Sequence, residues 1–566
     1  MKKNLSVFLV LLMLLSCLAV GASARERDAL RFAVASDLHY DHTDGEFERN
    51  NDDEIFFYAN RRAAMENESG TIIDAFLEQC AADESLQYVL IPGDLADNGK
   101  TCPEDHRVVA EKLIAFEKNT GKDVFVINGN HDAGNNCKTS LDDFKKIYAR
   151  LGYDKALEKR EDDCSYTADL GENYRLIALD SIDPDASTAD GMSAAKILWV
   201  KKQAEKAYVD GRYPLLMMHH NLLDHLPLQR LVSHDFIVRF HYSTAALFAD
   251  QGIKLVLSGH EHCSDAASYI SPAGNVIYDF ATTSLTMYPL QYRVMTLSEG
   301  EISYEARTVD AIDTAALKKR QPLFTEAQLA AMENGMNDYA LTFLKKGVEY
   351  RLALSLTMEK MGIEPTDLFY DLVKTAVDGL TDILNMPLYG EKSVCALAEE
   401  YNIEIPYSDY ATGWDLVTSL VAMHYAGEEA FDLNSPEITV LLRTAALILR
   451  TDLPGINDNV FMKCATGLLE KNGYAPVSES ITKLCCKVFG GIKPGEYFLV
   501  SVLAPFLYEF AFDNDAVNDN HGTLAGYTGR GTVDHMANIF QNMKDKCKTL
   551  LLYLRLIFEE SLKMFR

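Results

Sequence analysis

The N-terminal half of the chain alternates two kinds of stretch. Short apolar runs rich in β-branched residues each end in polar residues, and longer stretches with apolar residues at helical spacing separate them. The runs are 31–36 (RFAVAS), 88–92 (YVLIP), 124–128 (VFVIN), 175–179 (RLIAL), 214–218 (PLLMM) and 254–258 (KLVLS). A strand with one wet face alternates polar and apolar positions, so these unbroken runs predict strands buried on both faces. Helices are predicted over 70–82, 104–118, 140–151 and 194–208. Two further stretches, 275–280 and 292–308, read as strands, the second folding back on itself at Glu299-Gly300. The pattern predicts an α/β sandwich over 25–310.

After about Asp310 helix signals replace strand signals. Thr325-x-x-Gln328 has the form of a capping box, and Ser435-Pro436 places a cap residue before Pro at the first helical position. Eight to ten helices are expected, making 311–566 an all-helical domain. One segment breaks that pattern: 513–534 (DNDAVNDNHGTLAGYTGRGTVD) is rich in Gly, Asn and Asp and reads as a long loop. Its His521 and Arg530, with His535 just beyond, either overhang the reacting site and select the leaving group, since Arg suits phosphate, or lie on an exposed flexible loop.

A length of 566 residues exceeds what one core usually serves, in agreement with two domains. The formal net charge of −29 argues against coating nucleic acid, because a polyanion is attracted by clustered Lys and Arg. Residues 1–24 have the form of an export signal: Lys2 and Lys3, an apolar stretch from Leu5 to Val20, then Ala22-Ser23-Ala24 as a cleavage site. A secreted or cell-surface location is therefore expected. Leu14-Leu15-Ser16-Cys17 also resembles a bacterial lipobox, so the one membrane anchor the sequence offers is a lipidated Cys17. Of the eleven cysteines, Cys102 and Cys137 are the most loop-like; a chain this long needs no staples, and most are expected to be small buried residues.

The candidate chemistry sits where the predicted strands end. The first delivers Asp37-Leu38-His39, the second Gly93-Asp94-Leu95-Ala96-Asp97-Asn98, and the third Gly129-Asn130-His131-Asp132. Later strands deliver His219-His220-Asn221 and Gly259-His260-Glu261-His262. Loops beyond the carboxyl ends of strands are where α/β proteins gather their sites. Mixed carboxylate, amide and imidazole donors suit borderline divalent ions, and seven of them exceed what one ion takes while keeping an open position. Two ions sharing one carboxylate is the economical arrangement, and such pairs clamp both oxygens of an in-line phosphoryl displacement.

In this order the motifs resemble those of the calcineurin-like metallophosphoesterases: D-x-H, G-D-x-x-[DN], G-N-H-[DE], H, then G-H-x-H. The resemblance covers residues 30 to 309 and implies a metallophosphoesterase αββα sandwich followed by the all-α domain. It implies two divalent transition-metal ions (Mn, Fe, Zn or Ni), one held by Asp37, His39 and His262 and the other by Asn130, His219 and His260, with Asp94 bridging. It implies that a hydroxide bridging the ions attacks phosphorus, that His131 assists the leaving group, and that Asp132 orients His131. His219 is preferred to His220, which the residues alone do not decide. Asp97 and Asn98 are expected to close the loop after Asp94, and Asp180-Ser181 to pack behind the site. His42, His106 and His225 are expected at the surface or behind the ligands. The phrase Ile91–Gly99 and the His219-His220 pair are most similar to the cyclic-nucleotide phosphodiesterase-like branch, among exported members with an appended helical domain. The implied substrate is a small phosphoester, with diesters favoured; a monoesterase or nucleotidase, or a binding protein that keeps the fold, stays open.

Overall fold

The computed structural model describes residues 29–41, 63–186, 188–225, 229, 235–322, 324–355, 382–400, 403–431, 435–451 and 517–527. The expected export segment, Cys17, His42, Cys485-Cys486, Arg530, His535 and the helices expected beyond 451 lie outside the described residues.

Thirteen described strands form two sheets. They are β1 (Leu30–Val34), β2 (Tyr88–Ile91), β3 (Asp123–Val126), β4 (Glu158–Lys159), β5 (Tyr166–Leu170), β6 (Tyr174–Leu179), β7 (Tyr213–Met218), β8 (Leu255–Ser258), β9 (Asp265–Ile270), β10 (Val276–Ala281), β11 (Gln291–Ser298), β12 (Glu301–Thr308) and β13 (His521–Ala525). The first sheet has the order β13-β12-β11-β1-β2-β3, the second β4-β5-β6-β7-β8-β10-β9. Strands β1, β2 and β3 run parallel, as do β6, β7, β8 and β10. Parallel neighbours need long crossovers. Helices supply them: α1 (Ser69–Ala82) between β1 and β2, α2 (Pro103–Thr120) between β2 and β3, followed after β3 by α3 (Leu141–Ile147). In the second sheet α4 (Ala194–Val209) joins β6 to β7, and α5 (His241–Asp250) joins β7 to β8.

The unbroken apolar runs are explained by what lies on each face. In β6, β7 and β8, Leu176, Ala178, Leu215, Met217, Leu255 and Leu257 join the large core shared with Phe32 and Val34 of the first sheet. Their alternates Ile177, Leu179, Leu216, Met218 and Val256 pack on Trp199 and Val200 of α4 and Phe248 of α5. Neither face is wet, so neither face is polar. Full burial of each large side chain contributes about 1.5–3 kcal/mol, and the outcome is helices, sheet, sheet, helices. All parallel strands then present their carboxyl ends to one side.

The helical half follows as α6 (Thr314–Arg320), α7 (Glu326–Asn334), α8 (Met336–Ser355), α9 (Val394–Glu400), α10 (Gly413–Ala426) and α11 (Pro436–Thr451). The Thr325–Gln328 capping box forms at α7, and Pro436 opens α11. Four elements inside the first half, β4, β5, β9 and α5, are not among the predicted ones. Helix α5 begins after Phe240, a left-handed residue (φ 54°) and not a capping side chain. Strand β9 opens on Asp265 and small alanines and only its far end alternates.

The loop expected over 513–534 is corrected over its described part. Residues 521–525 form β13, which pairs antiparallel with β12 from Glu301↔Ala525 to Glu305↔His521. Tyr527 then buries its ring against Tyr213, centroids 5.0 Å apart, and donates to the Pro214 carbonyl (2.9 Å). Gly- and Asn-rich composition signals a loop only when no partner competes; here the bare edge of β12 supplies a ladder of backbone hydrogen bonds. A segment from deep within the expected helical half therefore completes the first sheet. His521 is exposed at the start of β13, and Asn520 beside it reaches Ser264, two residues past His262. Among the described residues no two cysteines form a disulfide, Cys102 and Cys137 included, and Cys80, Cys164 and Cys263 are buried.

Candidate metal centre

Each expected ligand lies just past a strand end: Asp37 and His39 after β1, Asp94 after β2, Asn130 after β3, His219 after β7, His260 and His262 after β8. Five of them have left-handed backbones, with φ of 52° at Asp37, 39° at His39, 48° at Asp94, 67° at His260 and 61° at His262. That conformation costs a non-glycine residue on the order of 1–2 kcal/mol. Such strain persists where the surroundings over-determine it, as functional sites do. The loops also approach closely: a Cβ on Gly129 would strike the Asp94 carboxylate, and one on Gly259 would strike Ser36 and Asp37.

The side chains converge in two groups. In one, His39 Nε2 stands 3.1 Å from His262 Nε2, and Asp37 Oδ1 lies 3.2 Å from His262 Nε2 and 3.8 Å from His39 Nε2. In the other, His219 Nε2 stands 2.8 Å from Asn130 Oδ1 and 3.1 Å from His260 Nδ1. Asp94 Oδ2 lies between them, 3.3 Å from His219 Nε2 and 3.8 Å from His39 Nε2. Asp37 Oδ1 is buried with no hydrogen bond of its own. An unsatisfied buried carboxylate oxygen facing two imidazole nitrogens is a donor set for a cation, and the residues fit a pair of divalent ions.

The charge balance agrees. Burial alone lowers the His39 pKa, but Asp97, Asp94 and Asp37 outweigh it and raise it to about 9. His219 likewise rises to about 9, burial being outweighed by Asp94, Asp37 and the Pro92 carbonyl. Burial would raise Asp94, yet His219, His131 and His39 hold its carboxyl well below the usual range. Metal-free, His39 and His219 favour their protonated forms, whereas burial pushes the His260 and His262 imidazoles down.

Residues 30–264 match the family model described as calcineurin-like phosphoesterase, which is less than half of the chain. They carry the calcineurin-like phosphoesterase fold. Among curated proteins no sequence matches. Among solved structures, a dimetal phosphatase from Danio rerio aligns over 50% of this chain and 96% of its own, at 12% identity and a TM-score of 0.34. A purple acid phosphatase from yellow lupin, Lupinus luteus, aligns over 50% of this chain and 52% of its own (11% identity, TM-score 0.34). A predicted phosphoesterase from Streptococcus pneumoniae covers 50% and 91% (10% identity, TM-score 0.22).

Behind the ligands of this phosphoesterase fold stand acceptors for three of the four ligand imidazoles, those of His39, His219 and His262. His39 Nδ1 lies 3.0 Å from Asp97 Oδ1, His219 Nδ1 3.0 Å from the Pro92 carbonyl, and His262 Nδ1 3.0 Å from Met287 Sδ. None of these atoms can donate, so each ring carries its proton on Nδ1 and turns Nε2 inward. Asp97 thus does more than close its loop. Its carbonyl also takes His131 Nδ1 (2.7 Å), and the His131 ring lies beside Asp94 and His39. Asn98 caps nothing in the site: its side chain is exposed, and its carbonyl receives the Cys102 N–H.

The expected role of Asp132 is corrected. Its carboxylate accepts from the backbone N–H groups of Leu95 (2.9 Å), Ala96 (3.1 Å) and Gly129 (2.7 Å). It ties the second and third ligand loops together, and the group that orients His131 is the Asp97 carbonyl. Burial and neighbouring Asp94 push its carboxyl up to about 7. Asn130 Oδ1 meets His219, and His220 shares a hydrogen bond with Ser181 Oγ (3.0 Å). Asp180 accepts from the Cys164 and Ile182 N–H groups. His106 bonds Tyr148 OH and the Asp132 carbonyl from behind, and burial pushes its pKa down to about 4. His225 is buried against Asp265 and Asp279. Met287 carried no sequence signal, nor did Phe236, whose ring lies 4.4 Å from that of His260.

Proposed function

We propose that this protein is an exported phosphoester hydrolase working with two divalent ions, and that diesters are its preferred substrates. The observation that carries the reading is Asp94 Oδ2, one carboxylate oxygen shared between the Asp37–His39–His262 group and the Asn130–His219–His260 group. Two ions bound there supply Lewis acidity for phosphoryl oxygens and make water a nucleophile near neutral pH.

The chain's own residues do the rest. Asp37, His39, Asp94 and His219 are buried, whereas the side chains of His131 and His262 are each 16% exposed, so substrate approaches from their side. Proton transfer to the departing oxygen falls to His131, whose Nδ1 is engaged by the Asp97 carbonyl and whose ring lies beside Asp94 and His39. Asp132 and Asp97 keep the loops and rings in place. The preference for diesters rests on the phrase Ile91–Gly99 and the His219-His220 pair, export on residues 1–24, and a membrane tether on lipidation of Cys17.

A panel of mono-, di- and cyclic phosphoesters assayed with Mn, Fe, Zn and Ni tests this. Turnover of bis(p-nitrophenyl) phosphate well above p-nitrophenyl phosphate supports it; a preference for the monoester overturns the diester assignment, and no metal-dependent turnover overturns hydrolysis. Mass spectrometry of protein from an exporting host, showing a chain that begins at residue 25 or at an acylated Cys17, tests export; an intact residue 1 contradicts it.

A further inference from the structure

His262 is held differently from the other ligands. His39 and His219 give their Nδ1 protons to oxygens of the loop 92–97. His262 gives its proton to the sulfur of Met287, a thioether and a weak acceptor. Met287 is 1% exposed and belongs to a small core made from both halves of the chain, with Ala63, Ala64, Leu344 of α8 and Ala422 of α10. The same helix grips the other side of the ligand loop. Two residues past His262, the Ser264 N–H donates to the Tyr425 carbonyl of α10 (3.1 Å). Asn520, next to β13, accepts from Ser264 Oγ (3.0 Å) and donates to the Ala426 carbonyl (2.7 Å).

We propose that Met287 is the positioning residue of His262, and that α8 and α10 hold it in place, so that the helical half sets the affinity of the Asp37–His39–His262 site. This rests on the two-metal reading above. A flexible thioether keeps its place only where neighbours pack it, and those neighbours include Leu344 and Ala422 of the helical half. A group that donates to sulfur is polarised less than one that donates to carboxylate, so His262 is a weaker donor than His39, whose partner is Asp97.

The test titrates Mn onto the full-length, metal-free protein and reads stoichiometry, both affinities and the thermal midpoint for wild type, Met287→Leu, Met287→Gln and Leu344→Ala. Leu fills a similar volume without an acceptor, and Gln restores one. The expected result is two ions in wild type, one of them bound roughly 10–100-fold more weakly in Met287→Leu at an unchanged midpoint, recovery in Met287→Gln, and a smaller one-site loss in Leu344→Ala. If Met287→Leu binds both ions as wild type does, or weakens both equally, the positioning role is overturned. If Leu344→Ala lowers the midpoint but moves neither affinity, the control by the helical half is overturned. A wild-type protein that takes up no Mn overturns the two-metal reading itself, and this inference with it.

Discussion

The Nε2 atoms of His39 and His262 stand 3.1 Å apart, each on a ring whose other nitrogen is already engaged, by Asp97 and by Met287. Two imidazole lone pairs at that separation repel unless positive charge lies between them. A proton or a metal ion supplies it, and the carboxylates around the pair favour either.

That competition sets a pH dependence. With His39 and His219 raised to about 9 in the metal-free protein, an incoming ion displaces protons. Metal affinity therefore rises from pH 6 to pH 9, and calorimetry in buffers of different ionisation enthalpy registers proton release. Because these folded-state pKa values lie above the unfolded 6.5, their stabilisation is complete below about 6.5 and lost as pH rises through about 9. Thermal melts of metal-free protein should show that loss, and metal-loaded protein should not.

Asp94→Asn and His131→Ala separate binding from chemistry. Asp94 serves both ligand groups, so Asp94→Asn should drop metal content from two ions to fewer than one and abolish turnover. His131→Ala should keep two ions and lose roughly 10²–10⁴-fold in kcat. Elemental analysis beside steady-state kinetics distinguishes them; a His131→Ala enzyme with wild-type kcat removes His131 from proton transfer.

Asp97 and Asp132 should fail in different ways. Asp97→Ala frees His39 Nδ1 but keeps the carbonyl that holds His131, so metal affinity should fall roughly 10–100-fold with kcat at saturating metal little changed. Asp132→Asn opposes an amide NH₂ to one of three backbone N–H groups. It should cost about 1–3 kcal/mol of stability, read by urea unfolding, and leave His131 chemistry intact.

Tyr527 tests whether β13 belongs to the first domain. It is buried and stacked on Tyr213, so Tyr527→Ala should destabilise the phosphoesterase fold by about 3–5 kcal/mol. Unchanged urea unfolding would show that the segment is dispensable.

The ligand residues were legible because strand ends are local features: an apolar run, a glycine and a polar donor sit within a few residues of each other. What stayed hidden depends on contacts remote in sequence. Nothing in the phrase TTSLTMYP marks Met287 as the partner of His262, since a methionine there reads as core. Asp132 adjoins His131 in sequence, but the turn after β3 sends its carboxylate back to the Leu95 and Ala96 amides. Strand β13 exists because β12 has an open edge more than two hundred residues earlier, and no local propensity encodes that.

The central claim is that two ions share Asp94. Anomalous diffraction from crystals of Mn-loaded protein tests it most directly. The account predicts two peaks, one beside Asp37, His39 and His262 and one beside Asn130, His219 and His260, with Asp94 between them. A single peak, or none within reach of Asp94, would contradict it.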